Sequence, residues 1–275
     1  MNKKVATIIL NRNLGKLTDK LYRKIQKNNS KYTDIFVMDA GSLEKHKSKY
    51  TNWTANSKSI KKNGLRFGRG MNLALANLYE EKKFYEYDYF FLVTNDTIIE
   101  DKPIIKKFIE IMSSNSKIAI LSGCSKKWGE KEILKNIDYK FFWYIHNNSY
   151  FLRTSFIDKI KNLKKPHYKN FLFDGNNFRG FGIESEIILK AYKANMAAAI
   201  TSKIWIEEDE SYLLNKSNLI KTEPYNKNLK LYINEGLLWL KKKYNFNSKW
   251  DMSLHVKNYY DKFFLNNKKL KKYKI

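Results

Sequence analysis

A short apolar run that stops abruptly at polar residues, DYFFLVTNDTIIED over residues 88–101, is the feature that most constrains the fold of this chain. Tyr89 to Val93 are aromatic and β-branched residues, which is typical of a strand buried on both faces. The strand ends in TNDT and so delivers the carboxylate of Asp96 to its carboxyl end. Ligands of open α/β sheets bind at those ends, where Asp96 could hold a diphosphate through a divalent cation. The alternative is a turn in which Asp96 only bonds nearby backbone.

Two further strands are predicted upstream, and they form the beginning of a β-α-β unit. Val5 to Leu10 reads VATIIL, and Asp34 to Met38 runs into the carboxylate and turn of DAGS. Leucine and isoleucine residues at helical spacing lie between them and predict a helix. Such units are right-handed and build parallel sheets, so Asn13, Asp39 and Asp96 are expected to project from one edge. For Asp39 the alternatives are a bond to a ribose or base and a local Asx turn.

The segment NGLRFGRGMN, Asn63 to Asn72, is a glycine-rich turn that leads into a predicted helix. Such a turn offers backbone N–H groups to phosphate, and Arg66 and Arg69 add positive charge. The dinucleotide-binding fingerprint is incomplete, because its third glycine is absent and no strand directly precedes the turn. The segment therefore predicts a nucleotide-contacting loop and argues against an NAD site.

A second glycine- and aromatic-rich loop, within FLFDGNNFRGFGIESEIILKAYKAN at Phe171 to Asn195, runs into another predicted helix. Glu184 and Glu186 stand at the start of that helix, and residues two apart do not share a helix face, so the two glutamates are expected to have different roles. Acidic residues are also favoured at any helix amino terminus because they offset the macrodipole. A loop of this composition nevertheless suits a pocket partly shielded from water, in which a carboxylate can act as a base.

Aromatic residues at Phe141 to Ile145 and at Tyr150 to Leu152 are typical of paired strands. Trp143 could stack on a sugar ring, although aromatic side chains in strands more often belong to the core. The polar stretch from Lys45 to Lys62 is interpreted as a loop or a poorly ordered helix.

Composition limits the class of protein. A chain of 275 residues can form one main domain with a smaller appendage. The formal charge of +26 indicates anionic partners such as nucleic acid, acidic lipid or nucleotide diphosphates, unless the many lysines only reflect coding bias. Cys124 is the only cysteine, which excludes an internal disulfide and a Cys-rich zinc site. No apolar stretch approaches the ~20 residues of a spanning helix, so the protein is expected in the cytosol or attached to a membrane only at its surface.

The carboxyl-terminal part is basic and aromatic. Leu229 to Tyr244 shows helical spacing and is expected to pack on the main domain with its lysines in solvent. The tail from His255 to Ile275 interleaves tyrosine, phenylalanine and leucine with many lysines. Basic clusters with aromatic residues favour anionic lipid headgroups, so this tail is a candidate for contact with a membrane surface.

Five segments, in this order, resemble the family 2 glycosyltransferases with the GT-A fold, in particular rhamnosyltransferases: VATIILNRN, IFVMDAGS, NGLRFGRGMN, FFLVTNDT and FDGNNFRGFGIESEIILKAYKAN. The resemblance covers roughly residues 5–200. It implies an α/β fold of the nucleotide-diphospho-sugar transferase type, with a mostly parallel central sheet flanked by helices. Residues 1–200 would form the catalytic domain, with a donor half (1–100) and an acceptor half (101–200). Residues 201–275 would form a helical extension.

The resemblance also implies roles for single residues. Glu184 would be the catalytic base, and Asp96 would bind Mg²⁺ or Mn²⁺ as the last acidic residue of the family's DxD motif. The implied donor-binding residues are Asn13, Asp39, Asn63, Gly64, Arg66, Asn72, Asn95 and Asp96. The implied acceptor-side residues are Trp143, Asp174 and Glu186.

The chain departs from the family pattern at the metal site. The DxD position reads Thr94, Asn95, Asp96, which leaves one carboxylate where two are usual. The family's later histidine is missing, and the equivalent region reads IWIEEDES, in which Glu207, Glu208 or Asp209 could substitute. The cation would then be held mainly by donor phosphates and water.

The function that the resemblance implies is inverting transfer of a hexose-like sugar from a nucleotide diphosphate to an acceptor hydroxyl, on a glycan or lipid-linked acceptor in surface glycan or polysaccharide synthesis. A polyanion- or nucleic-acid-binding protein is the alternative of a different class, and it predicts lysine and arginine clustered on one face. No nucleic-acid-binding motif is present, so no nucleic-acid partner is expected. A nucleotidyltransferase of related fold would share the donor side and differ at the Glu184 helix.

Overall fold

The computed structural model describes residues 4–125, 134, 137–145, 149–161, 166–209, 211 and 222–275. Strands and helices alternate through most of these residues. In chain order the elements are β1 (Val5–Asn11), α1 (Gly15–Asn29), β2 (Thr33–Asp39), β3 (Thr51–Thr54), α2 (Lys58–Asn63), α3 (Arg66–Glu80), β4 (Tyr89–Thr94), β5 (Thr97–Ile99), α4 (Ile104–Ser114), β6 (Ile118–Cys124), β7 (Lys140–Phe141), β8 (Ser149–Arg153), α5 (Thr154–Ile160), α6 (Ile183–Lys193), β9 (Ala197–Glu208), α7 (Tyr225–Tyr244) and α8 (Lys249–Asn266).

The described strands form one mixed sheet in the order β3-β2-β1-β4-β8-β6-β9-β5, with β7 paired to β9. Strands β3, β2, β1 and β4 are mutually parallel, and so are β6 and β9. Strand β8 runs antiparallel to both β4 and β6. Because β8 reverses direction on each side, β6 and β9 run the same way as β4. The carboxyl ends of β1, β2, β4, β6 and β9 therefore lie at one edge of the sheet, called here the carboxyl edge.

The expected α/β architecture with a central sheet flanked by helices is confirmed. All residues of β1 and β6 are buried, as is β4 up to Val93, and helices α1 and α3 both pack on β1. The strand predicted from Tyr89 to Val93 is thus buried on both faces. The predicted parallel arrangement applies to the amino-terminal half of the sheet and to β6 with β9, while β8 makes the centre antiparallel.

Two local predictions were wrong. The stretch from Lys45 to Lys62, predicted as a loop or a poorly ordered helix, contains the strand β3, which was not predicted, in addition to most of the helix α2. Strands β7 and β8 do not pair with each other, because β8 inserts between β4 and β6 while β7 joins β9. Apolar runs signal that a strand is buried but do not specify its neighbour in the sheet. The boundary predicted at residue 200 lies inside β9, whose last residue is Glu208.

The carboxyl-terminal extension consists of α7, α8 and a short 3₁₀ segment, and it packs on α6 and the sheet. A capping box between Ser248 and Asp251 begins α8. The tail's aromatic residues proposed for a lipid surface are largely core residues: Tyr260, Phe263 and Phe264 are buried. None of the described helices has both the length and the apolar composition needed to cross a bilayer.

A buried amide ties α3 to the loop that precedes α6. The Asn72 side chain is fully buried; its Nδ2 donates to Tyr168 O at 3.1 Å and Phe173 O at 2.8 Å. Its Oδ1 accepts from the backbone N–H groups of Leu172 and Phe173, each at 2.9 Å. Both polar atoms of the amide are hydrogen-bonded inside the protein. The contact with the nucleotide-sugar donor that was expected of Asn72 is therefore not supported. Its role is structural.

Replacing Asn72 by alanine removes the side-chain partner of two backbone N–H groups and two backbone carbonyls. We expect Asn72→Ala to lower the free energy of unfolding by about 2–4 kcal/mol, since each unsatisfied buried group costs on the order of 1–3 kcal/mol. Urea unfolding followed by circular dichroism measures the loss. Asn77→Ala is the matched control on the same helix, where the half-buried side chain has no comparable network. Equal stability of the two variants would contradict the assigned role.

Candidate functional site

A chain of side-chain hydrogen bonds links three neighbouring strands at the carboxyl edge. Asn11, the last residue of β1, is fully buried and donates from Nδ2 to Asp39 Oδ2 at 3.1 Å. Its Oδ1 accepts from Asn95 Nδ2 at 3.2 Å. Asn95 directly follows β4, and Asp39 is the last residue of β2. The edge polar chain, Asp39–Asn11–Asn95, therefore joins two predicted donor-binding residues through a residue that was not predicted.

Asp39 and Asn13 shape the loop after β2. Asp39 is fully buried, and its Oδ1 accepts from the N–H groups of Gly41 at 3.2 Å and Ser42 at 2.9 Å. Asn13 has a left-handed backbone with φ of 56°, and its Oδ1 accepts from Leu43 N at 2.8 Å. The Asx turn considered as the alternative for Asp39 is present. A ligand at this edge would therefore meet a loop held rigid by Asp39 and Asn13.

A second carboxylate lies beside Asp96. Strand β5 pairs antiparallel with the end of β9, and the N–H of Asp209 donates to Asp96 O at 2.8 Å. The two aspartates line a cavity of about 170 Å³ together with Lys20 and Lys24 of α1. The long β9 was not predicted from the sequence, but Asp209 was among the three acidic residues considered there as substitutes for the missing ligand. The pairing of β5 with β9 brings it into place.

The electrostatics of Asp96 suit a cation. Its Oδ1 is buried and has no hydrogen-bond partner among the residues that the structure describes. Burial raises the pKa of the Asp96 carboxyl above its ordinary value; the Thr94 hydroxyl lowers it, and the charge of Asp209 adds to the rise. No three histidine, cysteine or acidic side chains converge on a metal-sized site within the described part of the chain. Two carboxylates can hold Mg²⁺ or Mn²⁺ only if phosphates and water complete its shell.

Glu184 and Glu186 make separate contacts with the carboxyl-terminal extension. Glu184 Oε1 lies 2.7 Å from Lys249 Nζ at the start of α8. Glu186 is 1% exposed and accepts from Lys243 Nζ at 2.5 Å and from the hydroxyl of Tyr244 at 3.0 Å. The expectation that they have different roles agrees with these contacts. Glu186 is locked into the packing of α7 on α6, so its predicted acceptor-side role is not supported.

Topology places Glu184 at the carboxyl edge. Helix α6 leads into β9, and its last residues adjoin the beginning of that strand. Since β9 ends beside Asp96, the first turn of α6, which carries Glu184, lies toward the same edge of the sheet as Asp96. The predicted base and the predicted metal ligand thus lie toward one edge of the sheet, the base at the start of a helix that contacts α3 and the metal ligand beside α1.

The residues of the glycine-rich turn contact two different parts of the protein: the loops around it, and the segment at the start of α7. Gly64 has φ of 68°, and a Cβ there would lie 1.5 Å from Nη1 of Arg12, so only glycine lets this guanidinium approach. Arg69 packs over the ring of Phe178 at 4.6 Å and donates to Gly175 O at 2.7 Å. Arg66 instead turns toward the residues that precede and begin α7. Its Nη2 donates to Thr222 Oγ1 at 3.1 Å and Asn228 Oδ1 at 3.3 Å.

A cavity of about 900 Å³ lies between α2, the loop before α6 and α7. Asn63 and Gly64 line it from the predicted donor side, and Asp174 lines it from the predicted acceptor side. Asp174 accepts from Trp239 Nε1 at 3.0 Å and from Lys243 Nζ at 2.6 Å, and these donors hold the pKa of its carboxyl below the usual value despite burial. The cavity combines a cationic side with aromatic walls: Arg69, Lys242, Lys243, Tyr168, Phe178 and Trp239.

Trp143 lies elsewhere. Its ring packs at 4.7 Å on Phe142 and at 5.1 Å, edge to face, on Tyr260 of α8. It is not among the described residues that line the large cavity. Its ring is half-buried against the extension, and its sugar-stacking role stays a prediction. An aromatic residue in the core and one in a binding site have the same sequence signature.

Acidification should release Mn²⁺ from the carboxyl edge. The release should occur at a higher pH than it would from an aspartate with the ordinary pKa of about 3.9. The proton and the metal compete for the Asp96 carboxylate, whose raised pKa keeps it protonated to higher pH. Calorimetric titration with Mn²⁺ and pyrophosphate at several pH values measures this. Asp96→Asn should abolish the metal-dependent heat, and Asp209→Asn should weaken it and move the acid limb to lower pH. Asp101→Asn, at an exposed position, is the control; binding unchanged in Asp96→Asn would refute the site.

The sequence matches no protein-family model and no curated protein. Solved structures do resemble it. The mannosyltransferase PcManGT from Pyrobaculum calidifontis, in complex with GDP-Man and Mn²⁺, aligns with a TM-score of 0.57 at 9% identity, over 94% of this chain and 70% of that chain. Glucosyl-3-phosphoglycerate synthase from Mycobacterium tuberculosis, in complex with Mn²⁺ and UDP-glucose, aligns with a TM-score of 0.51 at 10% identity, over 86% of this chain and 79% of that chain.

GalNAc-T7 with UDP, GalNAc and Mn²⁺ gives a TM-score of 0.55 at 9% identity, over 92% of this chain and 58% of that chain. These structures are GT-A glycosyltransferases, and at such low identity the likeness concerns the fold. The fold expected from the five sequence segments is confirmed: the chain has the GT-A fold.

Proposed function

We propose that this protein transfers a sugar from a nucleotide-diphosphate donor to an acceptor hydroxyl, with inversion at the anomeric carbon. The observation that carries the proposal is the edge polar chain beside Asp96 and Asp209, at the carboxyl edge of a GT-A sheet. Open α/β sheets bind ligands at this edge, and the solved structures of the same fold carry nucleotide sugars or nucleotides with Mn²⁺. The resemblance of the sequence to family 2 and to hexose-transferring enzymes points the same way.

Asp96 and Asp209 would hold a divalent cation, and the orphaned Oδ1 of Asp96 supports this assignment. When bound, the cation would neutralise charge on the departing diphosphate. The loop ordered by Asp39 and Asn13 would contact the nucleoside. Asn63 and Gly64 line the neighbouring cavity and are assigned to the donor side of it.

Glu184 is the proposed base that removes the proton from the acceptor hydroxyl. Its side chain is 7% exposed, which keeps competing water away from the carboxylate. The contact of its Oε1 with Lys249 Nζ at 2.7 Å holds the carboxylate in one orientation. Holding both substrates in line at this edge would supply much of the rate.

The large cavity is the proposed acceptor site. Aromatic side chains such as Trp239 and Phe178 offer faces on which a sugar ring can stack, and Asp174 and Asn176 offer polar groups for its hydroxyls. This chemistry fits a glycan or a lipid-linked saccharide, as expected of an enzyme of surface glycan synthesis.

Contact with an anionic membrane surface is proposed for the outer side of the extension. Residues 222–275 carry thirteen lysines against four acidic residues. Trp250 is 76% exposed, and Leu254, one turn later on α8, is 56% exposed. Exposed apolar side chains among lysines match the interface of anionic lipids.

The donor can be identified with a panel of nucleotide sugars in the presence of Mn²⁺, by measuring which one stabilises the protein and is transferred or hydrolysed. With that donor, we expect Glu184→Gln to retain donor binding and to lose turnover by about 10²- to 10⁴-fold, the usual scale of general base catalysis. Ser185→Ala, at the adjacent buried position, is the control for local packing. Turnover unchanged in Glu184→Gln would reject the base, and the failure of every donor to bind would reject the function.

Membrane contact is tested by sedimentation with vesicles of phosphatidylserine and phosphatidylcholine. Trp250→Ala and Leu254→Ala should each reduce the bound fraction, because each removes an apolar side chain from the interface. Leu43→Ala is the matched control, since Leu43 is 57% exposed but lies outside the extension. Equal binding of all three variants, or equal binding to vesicles of phosphatidylcholine alone, would exclude the proposed surface.

A further inference from the structure

Three guanidinium groups come together where the loop after β1, the start of α3 and the loop before α6 meet. They belong to Arg12, Arg66 and Arg179 and are called here the arginine cluster. The side chain of Arg179 is 7% exposed, and that of Arg66 is 23% exposed. Burial lowers the pKa of Arg66, and the charges of Arg179 and Arg12 lower it further, while that of Glu223 opposes the change. Like charges held this close and this dry require anions between them.

The cluster has hydrogen-bond donors left over. The Nε atoms of Arg12 and Arg66 are buried and have no acceptor among the described residues. Nε of Arg179 lies 3.2 Å from Glu235 Oε2 but is not aligned for a hydrogen bond. Unsatisfied buried donors are rare and costly in native proteins. Their coincidence in three neighbouring side chains indicates a site built for further acceptor oxygens.

Glu223, in the segment before α7, supplies the carboxylate that bridges two members of the cluster. Its Oε1 accepts from Arg179 Nη2 at 2.8 Å, and its Oε2 lies 3.5 Å from Arg66 Nη2. The second contact is too long for a strong charge-assisted bond. One carboxylate thus satisfies the two guanidinium groups only in part. A phosphate carries more oxygens and matches the planar fork of arginine better.

The cluster adjoins the candidate donor site. Arg12 directly follows Asn11 of the edge polar chain, and its guanidinium rests against Gly64. Arg66 has φ of 58°, a left-handed conformation that strains any residue other than glycine and that is found at ligand clamps. Both features hold the guanidinium groups beside the glycine-rich turn, where phosphate was expected.

We propose that Arg12, Arg66 and Arg179 bind the phosphate groups of a nucleoside diphosphate, and that the carboxylate of Glu223 competes with those phosphates for the same guanidinium groups. Release of Glu223 would couple phosphate binding to the segment that leads into α7. The identification of the anion as a nucleoside diphosphate rests on the proposed function, whereas the anion site itself does not.

Calorimetric titration without divalent cations, in the presence of EDTA, isolates this site from Asp96. The probes are UDP, GDP, inorganic pyrophosphate and glucose 6-phosphate, so that a nucleotide donor is distinguished from a phosphorylated acceptor and from a site for diphosphate alone. We expect Glu223→Gln to tighten diphosphate binding roughly three- to tenfold, because a competing carboxylate is removed. Arg179→Gln should weaken it at least about tenfold, the cost of one charge-assisted contact.

Glu110→Gln is the matched control, since it removes the same charge from the exposed face of α4 and should leave binding unchanged. Glu223→Gln also covers the case in which Arg179→Gln fails to fold, and circular dichroism reports folding for each variant. Weaker or unchanged binding in a folded Glu223→Gln protein would overturn the competition. Absence of binding by every probe would overturn the anion site.

The outcomes separate this inference from the proposed function. Pyrophosphate binding that responds to Glu223 and Arg179 in a protein that transfers no sugar would uphold the anion site and reject the transferase. Sugar transfer at an unchanged rate in both Glu223→Gln and Arg179→Gln would uphold the transferase and reject the anion site. Preference for glucose 6-phosphate over UDP and GDP would reject the nucleotide and assign the cluster to a phosphorylated acceptor.

Discussion

Two buried carboxylates and one half-buried carboxylate lie against the carboxyl-terminal extension, and they need cations as partners there. Asp174, Glu184 and Glu186 are removed from most of their water, which is costly for a charged group unless a partner is close. Lys243 of α7 contacts Asp174 and Glu186, and Lys249 of α8 contacts Glu184. The packing of both helices on the GT-A sheet depends on this neutralisation. The extension therefore shields the two glutamates at the start of α6 from solvent.

The same extension carries acidic groups to the arginines. Glu223 contacts Arg66 and Arg179, and Glu235 contacts Arg179. In this strongly basic chain, some of the few acidic side chains therefore lie next to arginine side chains that are largely buried. Most of the charge of +26 comes from lysines, which outnumber the acidic residues in the chain. Charge at the surface bears on partners and solubility, whereas paired charge inside bears on the site.

Particular residues show how far sequence reasoning reached. The strand that leads into TNDT, the aspartate that ends β2 and the helix carrying Glu184 were predicted, and all three lie toward one edge of the sheet. Asn11 was missed although it is the polar last residue of a buried strand, a signal that was available. Trp143, Asn72 and Glu186 were assigned to binding, and in the structure their side chains contact other parts of the protein. A polar or aromatic residue has the same identity in both roles, and only its neighbours distinguish them.

The sequence by itself determined the buried strands β1, β2 and β4, the helices α1, α3, α6 and α7, and the acidic residues at the strand ends, because burial and periodicity are local properties of the chain. Tertiary structure alone decided that Asp209 stands beside Asp96, that Arg12, Arg66 and Arg179 converge, and that lysines of the extension meet the carboxylates of α6. These contacts join residues that are far apart in the chain. These contacts form only because of the order of the strands in the sheet, and because the gain from pairing charged groups offsets the cost of removing them from water. Neither property can be read from a single position of the sequence.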